Sequence, residues 1–170
     1  MNKIITFLVI ASMGINVFMF KGDVPFETLS VEQRAEMAGM EVDEFILISS
    51  VTEAESNRCT DSTEGRRYIA LCILCRVMDS RFPDTITGVL TQRGQFSTVR
   101  NGHSVTQRTD LSDQAVIEAV EWINSGEEYP WVLFFNCIGY SYGEPLGRYG
   151  GNYFVTLDPM IEEVENETDN

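Results

Sequence analysis

Two carboxylates, Glu53 and Glu55, stand at the end of an apolar-patterned segment, just before the polar run Asn57–Ser62. On a helical period of about 3.6 residues, Glu55 continues the stripe of Leu47, Ile48 and Val51, while Glu53 points to roughly the opposite side. A carboxyl on the apolar edge of a helix loses solvation. That disfavours its charged form and raises its pKa, which is what a general acid working near neutral pH requires. The competing reading makes both ordinary surface acids at a helix end.

The other reactive side chains are less suggestive. Cys72 and Cys75 lie inside a nearly continuous apolar run. A zinc site would need further ligands from Cys59, Cys137 or His103, so packing is the better account of this pair. Cys59 and Cys137 could pair in an oxidising compartment, but connectivity does not follow from sequence. His103, the one histidine, sits in the polar loop Arg100–Ser104 and would be the only imidazole for a cysteine nucleophile. No metal and no cofactor is expected.

The 170-residue chain carries 26 Asp and Glu against 12 Lys and Arg, a formal charge of −14. With 44% apolar residues it can build a core, and its length suits a single domain. No Lys/Arg cluster supplies the basic footprint a nucleic-acid binder needs. The acidity also disfavours anionic lipid and points to a neutral or zwitterionic partner.

The elements that must position Glu53 and Glu55 are mostly helical. Ser30–Gly39 has a plausible N-cap at Ser30 and a stop at Gly39. Glu41–Ser56 follows, with Glu44, Leu47, Ile48, Val51, Ala54 and Glu55 on one stripe. Asp61-Ser-Thr-Glu64 resembles a capping box, and the helix it opens is almost wholly apolar from Tyr68 to Met78. Phe82-Pro83 closes that stretch. Asp84–Thr91 can form a short helix and Gln92–Gly102 a loop. Asp113–Asn124 is amphipathic, with Ser112 as cap and Gly126 as stop. Trp131–Ile138 and Tyr153–Leu157 read as strands, separated by the Gly- and Tyr-rich segment Gly139–Asn152. The expected class is α+β.

At the start of the chain, Ile4–Phe20 carries no charge and follows Lys3. It reads as a secretory signal or an uncleaved anchor, so that residues 1–22 direct export and any membrane contact is confined to them. Residues 23–44 form a linker with a leading helix, 45–158 the main domain, and 159–170 an acidic, solvated tail.

From Leu47 to Phe154 the chain resembles the cell-wall hydrolase family of the spore-cortex-lytic (SleB) type. The acidic helix end Glu53-Ala-Glu55-Ser matches the family's "AEA" pattern. Gly65 opens a helix ending in Ile73-Leu-Cys-Arg-Val77, against "LNRV". Phe82-Pro-Asp-Thr-Ile-Thr-Gly-Val89 and Gly94-Gln-Phe-Ser97 match the most specific block. Leu133-Phe-Phe135 supplies the aromatic strand and Gly151-Asn-Tyr-Phe154 the terminal "G-HYF". Two departures stand out: Cys75 replaces the Asn of "LNRV", and Asn152 replaces the terminal His.

The resemblance implies a mainly helical lysozyme/lytic-transglycosylase-like core with a small antiparallel sheet. It implies an enzyme that cleaves peptidoglycan glycan strands between N-acetylmuramic acid and N-acetylglucosamine, in the cell wall or spore cortex during germination. The catalytic acid is the Glu of the helix end. Glu53-Ala54 matches the dipeptide and Glu55 the spacing, and the helix-face argument selects Glu55, with Glu53 as the alternative. Gln95 and Ser97 are candidate hydrogen-bond partners for N-acetyl groups or ring hydroxyls. Phe96 would anchor the loop or stack on a sugar, Tyr140, Tyr142 and Tyr149 would line the groove, and Tyr68 would position the acid. The expected protein is an exported monomer facing the wall. The alternatives are a non-catalytic peptidoglycan-binding module and a cysteine peptidase.

Overall fold

The computed structural model describes residues 24–56, 63–96, 98–100, 103–104, 106–140 and 143–156. The expected export segment 1–22, the expected acidic tail, Cys59, Ser97 and Tyr142 lie outside the described residues.

The helices follow their local signals. After a 3-10 turn at Phe26–Thr28, α1 runs Val31–Met37. Ser30 accepts from the Gln33 backbone N–H at 3.3 Å, and Gln33 Oε1 accepts from the Ser30 N–H at 2.9 Å. This reciprocal box satisfies two donors the first turn would otherwise leave open. Gly39, with φ 62°, ends the turn in the left-handed region that a residue without Cβ enters freely. Far from being a loose linker helix, α1 packs on α2 and α5.

α2 (Val42–Glu55) and α3 (Thr63–Met78) form the centre with α5 (Asp110–Asn124). The expected single stripe on α2 is too narrow. Phe45, Leu47, Ile48, Ser49, Ser50, Val51, Thr52 and Ala54 are all buried, because α1, α3, α4, α5 and the β1–β2 hairpin surround the helix. α3 is buried from Gly65 through Val77 apart from Arg67. The short α4 (Ile86–Leu90) is capped by Thr85, whose hydroxyl accepts from Gly88 N–H at 3.1 Å.

α5 begins three residues earlier than its apolar pattern. Its cap is Thr109, with Ser112 as the returning partner of the box rather than the cap itself. An ionic cluster fixes this helix to α1. Arg34 reaches Asp110 at 2.6 Å and Asp113 at 2.7 Å, and Arg108 also pairs with Asp113.

Two small sheets complete the fold. β1 (Val99–Arg100) and β2 (His103–Ser104) form an antiparallel hairpin where a plain loop was expected. β3 (Phe134–Asn136), β4 (Glu144–Tyr149) and β5 (Asn152–Thr156) make an antiparallel sheet in the order β3-β5-β4. β4 falls inside the segment expected to be irregular, and a bulge between Pro145 and Gly147 interrupts its register. Phe154 and Val155 of central β5 are fully buried, and Phe154 joins Phe45, Ile48, Ile69, Leu74 and Leu133 in the core. The class is therefore α+β, a mainly helical core with a three-stranded antiparallel sheet, as the sequence predicted.

Candidate active site

The last turn of α2 separates its two acids completely. Glu53 faces α3 and α5. Arg66 Nε donates to its Oε2 and Arg66 Nη2 to its Oε1, both at 2.9 Å, and the Thr109 hydroxyl donates to Oε2 at 2.6 Å. A carboxylate accepting a two-pronged guanidinium is strongly favoured in its charged form. The Arg66 bonds hold the Glu53 carboxyl below the usual range, against a smaller opposing effect of burial.

Glu55 faces the hairpin and the sheet. The Thr98 hydroxyl donates to its Oε1 at 3.2 Å, and Asn152 Nδ2 donates to its main-chain carbonyl at 3.4 Å. Its carboxyl is half-buried. Loss of solvation pushes its pKa up, and the Thr98 bond only partly offsets this. A carboxyl whose surroundings favour its protonated form is the kind that can donate a proton to a leaving oxygen.

The neighbouring loop is held by Arg76. Its Nη1 donates to Gln95 Oε1 at 2.9 Å and its Nε to the Leu133 carbonyl at 2.7 Å. Its guanidinium lies over Phe82, Phe96 and Phe134 at 5.1–5.5 Å from their centroids. Gln95 is exposed and Phe96 buried, so Phe96 is the anchor of this loop rather than a platform for a ring. A turn, Val99 N–H to Phe96 carbonyl at 3.2 Å, then brings Thr98 to Glu55.

Tyr68 is buried in an aromatic stack, its ring 3.9 Å from Tyr149 and 5.2 Å from Phe154. Burial raises its phenol pKa, with Tyr149 adding to the effect. Tyr68 and Tyr149 thus pack together against Phe154 of the central strand β5. Tyr140 is different: 46% exposed, it meets Tyr153 edge-on at 5.0 Å and leaves a face open.

The two departures noted in the sequence settle into ordinary places. Cys75 is fully buried beside Cys72. Burial pushes their thiols up to about 12 and about 11, the opposite of what a nucleophilic thiolate needs. Cys137 is exposed and free. Asn152 is buried and engaged with the α2 terminus.

A cavity of about 560 Å³ opens on another face, between α2 and the segment leading into α5, with Ile46, Ser50, Thr106, Arg108 and Thr109 in its wall. It adjoins the partner of Glu53, not Glu55. Its arginines, Arg34 and Arg108, are tied to Asp110 and Asp113, and no acid with a raised pKa borders it. Glu55, whose carboxyl is raised by loss of solvation, is not among the residues in its wall.

Residues 60–137 match the profile of a family described as Cell Wall Hydrolase. Over 74 residues the chain is 32% identical to the spore cortex-lytic enzyme of Oceanobacillus iheyensis, a match spanning 43% of this chain and 26% of that protein. It therefore spans about a quarter of the length of this curated relative. Two solved structures share the fold. The catalytic domain of the Bacillus cereus SleB protein superposes with a TM-score of 0.57 at 20% identity, covering 68% of this chain and 91% of that one. The catalytic domain of the germination-specific lytic transglycosylase SleB from Bacillus anthracis gives 0.54 at 19%, covering 69% and 98%. The resemblance to SleB-type cell-wall hydrolases, and the mainly helical core with a small antiparallel sheet that it implies, are borne out.

Proposed function

We propose that this chain cleaves the glycan strand of peptidoglycan between N-acetylmuramic acid and N-acetylglucosamine, as a lytic transglycosylase with Glu55 as its single catalytic acid. The observation that carries the reading is the divergence of the two carboxyls. Glu53 is committed as an anion to Arg66, whereas Glu55 is desolvated, bonded to a neutral hydroxyl and raised in pKa. Of the two, Glu55 is the one whose surroundings favour the protonated form.

Protonated Glu55 donates to the glycosidic oxygen as the bond breaks through an oxocarbenium-like state. The carboxylate left behind takes the proton of the sugar's own 6-hydroxyl as that oxygen closes on the anomeric carbon, leaving a 1,6-anhydro end. This route needs no second acid at the spacing that two-carboxylate glycosidases require. Gln95 and Tyr140, both exposed, hold the glycan by hydrogen bonding and ring stacking, with Ser97 and Tyr142 as further contacts. Export through residues 1–22 places the protein on the wall side of the membrane, as a monomer.

The test is digestion of purified peptidoglycan and of spore cortex, with mass spectrometry of the soluble fragments. Anhydro-muropeptides are expected. Reducing ends alone overturn the transglycosylase route in favour of hydrolysis. Binding with no release of fragments overturns the enzyme reading in favour of a wall-binding module.

A further inference from the structure

Arg76, in the last turn of α3, is a buried cation that pairs with no carboxylate among the described residues. Its acceptors are the Leu133 carbonyl and Gln95 Oε1, with three aromatic faces around it. A guanidinium has only donors, and a buried donor without an acceptor is costly. The Gln95 amide can therefore sit in one orientation only, oxygen toward Arg76. Rotated the other way, its N–H groups would meet those of the guanidinium. The backbone is fixed too, since the Gln95 N–H bonds to the Gln92 carbonyl at 3.2 Å and Phe96 is buried next to it.

What Gln95 shows to solvent is consequently an NH2 group, a donor held in place. A hydroxyl could satisfy such a donor, but it donates as readily as it accepts. Among the neutral oxygens of the sugars that accept without donating, the ring and glycosidic ethers are weak acceptors, and the strong one is the amide carbonyl of the 2-acetamido substituent. Thr98, three residues further along the same loop, bonds Glu55, so one loop carries both this donor and the hydroxyl partner of the acid. We propose that Gln95 is a specificity residue that reads a 2-acetamido carbonyl of the glycan through its side-chain NH2, oriented from beneath by Arg76. The proposal rests on the glycan-strand reading above and names the feature of the strand that is recognised.

The test uses the full chain carrying Glu55→Gln, so that ligand stays intact. Muropeptide-derived glycan fragments, N-acetylated or chemically de-N-acetylated, are titrated by calorimetry. The acetylated fragments are expected to bind at least about tenfold more tightly. Gln95→Glu keeps the shape and an oxygen for Arg76 but turns an oxygen outward in place of the NH2. In that background the preference should vanish or reverse toward the free amine, with no loss of thermal stability. Equal affinity of the parent for both fragments overturns the proposal by itself, whether or not Gln95→Glu folds. A loss of the same size for both fragments, or an unchanged preference, also overturns it. Failure of the acid assignment would show elsewhere, as fragment release that survives Glu55→Gln, and would leave this binding comparison standing.

Discussion

Arg66 grips Glu53 with a fork of two 2.9 Å bonds, Nε to Oε2 and Nη2 to Oε1. The grip ties the end of α2 to the first turns of α3 and favours the charged form of Glu53. Two residues on, Glu55 has only the Thr98 hydroxyl as a side-chain partner among the described residues. Glu55→Gln should therefore lower fragment release by at least about 10²-fold, the usual contribution of a positioned general acid. Glu53→Gln should lower it far less, through stability alone. Release rates on purified peptidoglycan decide, and the reverse order would transfer the role to Glu53.

Thr98 stabilises the ionised form of Glu55 and fixes one of its oxygens. Thr98→Val keeps the shape and deletes the donor. The Glu55 pKa should then rise, because a bond that favoured the charged form is gone. The alkaline limb of the kcat/KM profile should move to higher pH, with kcat falling a few-fold and Thr98→Ser restoring both. An unshifted profile would show that the hydroxyl has no hold on the acid.

The two acids pull stability in opposite directions with pH. The folded pKa of Glu53 is depressed, so its contribution is present above the unfolded value and is lost as pH falls through the folded one. Arg66→Met should cost about 1.5–3 kcal/mol at neutral pH, and the deficit should shrink in acid. The folded pKa of Glu55 is raised. Its stabilisation is full below the unfolded value and is lost as pH rises through the folded one. Glu55→Gln should therefore stabilise the protein at neutral pH by about 0.5–2 kcal/mol, with little effect in acid. Thermal melts of both variants across pH 4–8 check the signs.

Arg34 carries α1 into the fold through Asp110, Asp113 and the Phe26 carbonyl. Asp113 is fully buried, so removing a partner leaves desolvated charge behind. Arg34→Met should destabilise by about 3 kcal/mol, read as a lower denaturant midpoint with unchanged slope.

Gly147 in the β4 bulge has φ 136°, and a Cβ there would stand 2.8 Å from the Tyr149 ring. Gly147→Ala should cost about 1–3 kcal/mol from strain and overpacking together. Near-ultraviolet circular dichroism should report the disturbed Tyr68–Tyr149 stack.

The parts of this molecule legible in its sequence are those set by nearest neighbours and by period. The Ser30 cap, the Gly39 stop, the buried run of α3 and the opposite facing of Glu53 and Glu55 all follow from such rules. β4 escapes because Pro145 and Gly147, with a bulge between them, destroy its alternation. The β1–β2 hairpin escapes because two-residue strands carry no period. Thr109 was hidden behind Ser112 because both belong to the same box and only one precedes the helix. The partners of Glu53 could not be foreseen, since Arg66 and Thr109 meet it only through the packing of three helices. Arg76 did carry a signal: a lone cation in an apolar helix must find acceptors somewhere, and the loop bearing Gln95 is where it finds them.

That guanidinium also sets a rule for recombining such domains. It touches α3, the segment entering β3 and the Gln95 loop at once, and strips any of the three of independent inheritance. A chimera that imports the loop alone would set a stranger above an unsatisfied cation. One that exchanges all three segments together should keep its melting temperature.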